Sequence, residues 1–66
     1  MSVAKVAEIS ASSKKSFEHA INQGLARAND TIENIEGAWV KEMKVSVKNG
    51  KVDSFRVNLK LTFVLN

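Results

Sequence analysis

The C-terminal stretch KVDSFRVNLKLTFVLN, residues 51–66, constrains the fold more than any other part of the chain. From Phe55 onward the odd positions are Phe55, Val57, Leu59, Leu61, Phe63 and Leu65, and the even ones are Arg56, Asn58, Lys60, Thr62, Val64 and Asn66. This period-two alternation predicts a strand with one buried face and one wet face. At about 3.3 Å per residue the strand reaches roughly 45–50 Å, whereas ordinary strands have about five or six residues. A chain of 66 residues is hard pressed to cover such a strand alone, because a domain of this size buries only about 60% of the surface its unfolded chain exposes.

Small scaffolds make up the shortfall with disulfides, a structural metal or self-association. There is no cysteine, which removes disulfides and thiolate-rich zinc sites. A single histidine, His19, is a poor basis for a metal cluster, so self-association is the expected route. No apolar run has the length of a signal peptide core or of a membrane span of roughly 18 residues, and the expectation is a soluble cytoplasmic protein without a membrane partner. The net charge of +3 is mild, and apart from Lys14 and Lys15 the basic residues are scattered. Nucleic-acid binders gather theirs on one face, so no nucleic-acid partner is expected. Proline is absent and no stretch is low in complexity, which predicts one domain over residues 1–66.

Residues 3–9, VAKVAEI, read as a first strand, and the serines that follow offer helix caps, with Ser13 the expected N-cap. From Lys14 to about Asn34 the apolar and small residues fall at Phe17, Ala20, Ile21, Gly24, Leu25, Ala28, Ile32 and Ile35, spacings that form one stripe of a helix. Gly24 lies within that stripe, where glycine costs on the order of 1 kcal/mol relative to alanine, and its expected reason is close approach of helix and sheet. Gly37 is the expected stop signal.

Asn49-Gly50 predicts a two-residue hairpin, because a type I′ turn needs positive φ at both central positions. That loop pairs Lys48 with Lys51, Val47 with Val52, Met43 with Arg56, Val40 with Leu59, Trp39 with Lys60 and Ala38 with Leu61. In this register the helix packs on Ala38, Val40, Val57, Leu59 and Leu61. Trp39, Met43, Val45, Val47 and Val52 then stand on the other face with Arg56, Asn58 and Lys60. A three-residue loop with a bulge would exchange the faces. The order strand, helix, strand, strand places the long third strand between the other two, giving an α+β fold with a three-stranded antiparallel sheet and one helix.

The chain resembles the dodecin family along its whole length, in the opening AKVAEISASS, the helix segment FEHAINQGLARANDTIENI, the VKE of the second strand and the closing SFRVNLKLTFVL. The resemblance implies a β-α-β-β subunit whose sheet wraps around the helix, and a homododecamer forming a hollow shell in which the long strands are buried between subunits. It also implies a non-enzymatic protein that stores or scavenges flavin (FMN, riboflavin or FAD). In such proteins isoalloxazine rings stack on a tryptophan near the start of strand two, and a glutamine on strand three bonds the ring edge. Those two positions fall here on Gly37 and Arg56. Trp39, two residues on, returns to the same face, and Arg56 donates but cannot accept. The candidate ligand site is therefore Trp39, Arg56, Gly37 and Lys60, with a flavin or another anion as ligand. The alternative readings are a structural shell whose sheet face is used up in subunit contacts, and a calcium-binding member drawing on Glu42, Asp53 and Asn58. No set of residues resembles a nucleophile with its base or a paired acid and base, so the chain is not expected to be an enzyme, and no site is assigned to a metal.

Overall fold

The computed structural model describes residues 3–65. Strand β1 (Val3–Ser13) is followed by helix α1 (Phe17–Asn29), then by strands β2 (Ile35–Lys48) and β3 (Lys51–Leu65). The sheet order is β1-β3-β2, with β3 antiparallel to both neighbours. The long strand is real: β3 runs for 15 residues, and the molecule is a slab of 52 × 19 × 13 Å.

One face of β3 carries the fully buried Val57, Leu59 and Leu61, which with Ala20 and Ala28 of the helix form the core. Phe17 meets Phe55 edge-on at 5.1 Å between ring centroids. Gly24 has the role its position predicts. A Cβ built there would stand 3.0 Å from the Cβ of Ala11 and 3.3 Å from Cδ1 of Ile9, so glycine lets the helix settle onto β1.

Several local expectations are corrected. β1 continues through the serines to Ser13, which lies opposite Phe55. The N-cap is Ser16, whose hydroxyl accepts from the His19 amide at 2.9 Å. Ser13 is instead buried, and its Oγ accepts from the Lys15 amide at 2.9 Å and bonds Nδ1 of His19 at 2.6 Å. Lys14 and Lys15 precede the helix, so the first turn carries Glu18 and the last Arg27, the favourable order for the dipole. The helix ends at Asn29, capped by Asp30, well before Asn34. Asn34 adopts φ 61° and turns the chain into β2, so Gly37 is a strand residue and no helix stop.

The hairpin turn forms as expected, with φ 53° at Asn49 and 74° at Gly50, and Lys48 opposes Lys51. Three register shifts then alter the faces. Val47 opposes Val52 but Ser46 opposes Ser54, leaving Asp53 as an extra residue on β3. A second shift at Lys41 and a third at Glu36 lie on β2. The first two compensate: Val40–Leu59, Trp39–Lys60 and Ala38–Leu61 pair as the simple hairpin predicts, while between the bulges Met43 opposes Val57 rather than Arg56. Directly opposed residues share a face. Met43 and Val45 therefore lie with Val57 and Phe55 on the helix side, and Val47 and Val52 follow them. The expected apolar outer face is thus corrected: outside stand Trp39 and mostly polar residues, and the apolar surplus of the hairpin is inside, beyond the end of the helix. The change of phase is written in the sequence, since the inner-face residues Ala38 and Val40 are even while Met43, Val45 and Val47 are odd, and Val52 is even while Phe55, Val57 and Leu59 are odd. Because α1 packs on β1 and β3, it does not reach Ala38, which stays exposed although its face is the helix side.

Candidate functional site

The outer face of the sheet is a ladder of cross-strand rungs set by the register of β3 with its two neighbours. Val6, Thr62 and Gly37 form one rung; Glu8, Lys60 and Trp39 the next; then Ser10, Asn58 and Glu42; then Ser12, Arg56 and Lys44. All four residues singled out from the sequence stand on this face. The ladder separates them, however: Trp39 and Arg56 lie two rungs, or four residues of β3, apart, about 13 Å along the strand.

Trp39 is 69% exposed. The Lys60 ammonium lies 5.6 Å from the centroid of its ring, a cation–π arrangement. Lys60 is held from the other side by Glu8, whose Oε1 is 3.9 Å from its Nζ, and the same oxygen accepts from Lys41 Nζ at 3.2 Å. The bulge at Lys41 explains this: the extra residue puts a second lysine on the outer face beside Trp39. Gly37 has nothing within 4 Å of a Cβ built on it, so the face beside Trp39 is open.

On the third rung Asn58 Nδ2 donates to Glu42 Oε1 at 3.0 Å. The fourth sets Lys44 directly opposite Arg56. Like charges opposed across a sheet repel, and among the described residues neither cation has an ion-pair partner. Arg56 borders two adjoining hollows of about 230 and 200 Å³, the first shared with Glu42 and Asn58, the second with Ser46 and Ser54. Glu8, Lys41 and Lys44 enter the site through register, a signal the sequence carries only in the phase of its apolar positions.

A flavin makes two demands, an aromatic surface for the ring and donors and acceptors for its polar edge. Trp39 meets the first and Arg56 the donor half of the second. Asn58, between them on the same strand face, has the amide carbonyl that Arg56 lacks. Trp39 and Arg56 of the one chain do not converge on one ring. For a cation, Glu42 and Asn58 are in contact, whereas Asp53 sits at its bulge 3.7 Å from Lys14 Nζ and takes no part. Among the described residues no three histidine, cysteine or acidic side chains gather to hold a metal ion, and no helix is long and apolar enough to cross a membrane.

A three-stranded antiparallel sheet with a single helix on one face, in β-α-β-β order, defines a small class of α+β proteins. The chain belongs to the dodecin family, whose model, Dodecin, matches residues 3–66. Calcium dodecin of Mycobacterium tuberculosis is 33% identical over 63 residues, 96% of this chain and 89% of that protein. Its crystal structure, described as that of a calcium-chelating antigen with a novel calcium-binding site, matches with a TM-score of 0.82 at 32% identity, covering 97% of this chain and 91% of that one. A tryptophan-to-phenylalanine variant of Thermus thermophilus dodecin matches with a TM-score of 0.93 at 30% identity, over 100% of this chain and 98% of that one. Dodecin from Streptomyces davaonensis gives 0.92 at 26% identity, over 98% and 96%.

Proposed function

We propose that the protein is a non-enzymatic store for a small anionic ligand, working in the cytoplasm as a hollow homododecamer of single-domain subunits. The outer sheet faces of neighbouring subunits form its pockets. Trp39 is the stacking surface, Lys60 and Arg56 hold negative charge, and Gly37 leaves room beside the ring. The observation that carries this reading is the outer ladder itself: an exposed tryptophan under a lysine, followed on the same face by two opposed cations without an ion-pair partner among the described residues. A ligand with a planar ring and an anionic group answers both features. Among flavins, FMN and FAD fit better than riboflavin, because they carry phosphate for Arg56, Lys44 and Lys60. Asn58 supplies the acceptor for a ring N–H.

Catalysis has little support. The nucleophile and base in contact, Ser13 and His19, lie at the start of the helix, where the Ser13 hydroxyl is buried and already accepts the Lys15 amide. That contact reads as a tie between strand and helix.

A second reading, calcium binding, is favoured by the Glu42–Asn58 contact and by the calcium dodecin relative. The two Glu42 carboxylate oxygens and Asn58 Oδ1 fall short of the six to eight that calcium takes, so the remainder would come from other subunits.

Titration of the assembled protein with FMN and with riboflavin, followed by quenching of Trp39, tests the proposal. FMN should quench and bind more tightly than riboflavin, the difference should shrink as salt rises, and Trp39→Ala, which removes the one tryptophan and is therefore followed by flavin fluorescence, should abolish binding with the assembly intact. Equal affinity for both, or unchanged binding by Trp39→Ala, refutes this site. Calorimetry with calcium tests the second reading, which fails if Glu42→Gln binds calcium as the parent does.

A further inference from the structure

The hairpin extends well beyond the helix. α1 has 13 residues, about 20 Å at 1.5 Å each, under a slab 52 Å long. The inner face it leaves uncovered at the hairpin end presents Met43, Val47 and Val52, which are 54%, 64% and 53% exposed. This patch continues the core row of Phe55 and Val57 through the pairs Val45–Phe55 and Met43–Val57. Apolar side chains adjoining a core, on the side away from the ligand face, mark a contact surface.

The charges say what covers it. The hairpin from Lys44 to Arg56 carries four basic residues, Lys44, Lys48, Lys51 and Arg56, against one acidic, Asp53. The opposite end of the slab, where the helix stops and β2 begins, carries Asp30, Glu33 and Glu36, with Arg27 and Lys5 the cations there. Asp30, Glu33, Glu36, Lys48 and Lys51 are all exposed. That acidic end also has a recess of about 510 Å³ whose walls include Ile32, Glu33, Phe63 and Leu65. A basic end with an apolar inner face and an acidic end whose recess sets Ile32, Phe63 and Leu65 beside Thr31, Glu33 and Asn34 are complementary, and they belong to the same molecule.

We propose that the hairpin end of one subunit, led by Met43, Val47 and Val52, seats in the recess at the acidic end of a second copy, head to tail, with Lys48 and Lys51 facing Glu33 and Glu36. A head-to-tail contact joins different patches on the two copies, and repeated by rotation it closes a ring. This deepens the self-assembly reading above and rests on it.

Charge reversal tests the contact. Lys48→Glu/Lys51→Glu and Glu33→Lys/Glu36→Lys, made separately in the full chain, should each raise the concentration at which half the protein is assembled by about tenfold or more, read by sedimentation at low salt. The chain carrying all four changes should recover assembly. Val47→Asp, at an exposed position that leaves the subunit core untouched, should also weaken assembly, with circular dichroism unchanged. If both reversal variants assemble like the parent, or the fourfold variant fails to recover while its subunits stay folded, the contact is wrong although assembly stands. If the unaltered protein is a monomer at every concentration, the assembly reading fails as well.

Discussion

Replacing Gly24 with alanine sets two effects against each other. In a helix interior alanine is favoured over glycine by about 1 kcal/mol. Here the added methyl would meet the Cβ of Ala11 at 3.0 Å and Cδ1 of Ile9 at 3.3 Å. The first contact is with an atom fixed to the backbone of β1, which cannot swing aside as a long side chain can. Forcing a carbon into a packed site costs roughly 1–3 kcal/mol. The contact should win, leaving Gly24→Ala less stable by about 1 kcal/mol, a roughly fivefold fall in the ratio of folded to unfolded chains. For a domain of this size that is a drop in Tm of about 4–8 °C. Thermal unfolding followed by circular dichroism reads the change, at one fixed protein concentration because association shifts apparent stability. Valine at the same position should cost more, and Gly24→Ala should cost less in an Ala11→Gly background, since that removes the atom it strikes. A Gly24→Ala protein as stable as the parent or more so, in the Ala11 background, would refute the close approach of helix and sheet as the reason for this glycine.

Gly50→Ala puts a side chain at φ 74° with open space around it, so its cost of about 1–2 kcal/mol is backbone strain alone and should appear in urea unfolding without any change in ligand binding. Ser16→Ala removes the true helix cap and should lose about 1 kcal/mol by the same assay; a neutral result would mean that Ser13 or solvent supplies the cap. Gly37→Trp should leave the fold intact, because nothing lies within 4 Å of the new Cβ, and should raise flavin affinity measured by quenching of flavin fluorescence. Lys60→Ala should expose the Trp39 ring to stacking while removing a cation, improving binding of riboflavin relative to FMN.

Much of the fold was legible because each signal had a short-range physical cause. The alternation of β3, the Asn49-Gly50 turn and the helical stripe around Gly24 depend on residues within a few positions of one another. The spacing predicts too long a helix because Ile32 and Ile35 continue it; in the structure both still pack on the core, but from the turn after Asp30 and from β2. Ser13 and Ser16 are alike as caps in sequence, and the choice between them falls to the strand pairing that carries β1 to Ser13. The bulges at Lys41 and Asp53 have no glycine to mark them, and they moved Met43, Val45, Val47 and Val52 from one face to the other. The four candidate site residues do share the outer face, yet their spacing along it, and the neighbours Glu8, Lys41 and Lys44, follow from three-strand register, which the sequence carries only in the phase of its apolar positions.

Native mass spectrometry of the freshly purified protein addresses the central claim directly, because assembly mass and retained ligand are read together. The account predicts a mass of twelve subunits with bound anionic ligand that Trp39→Ala releases while the twelve remain together. A monomer would contradict the shell, and a twelvefold assembly whose ligand content is the same with and without Trp39 would contradict the site.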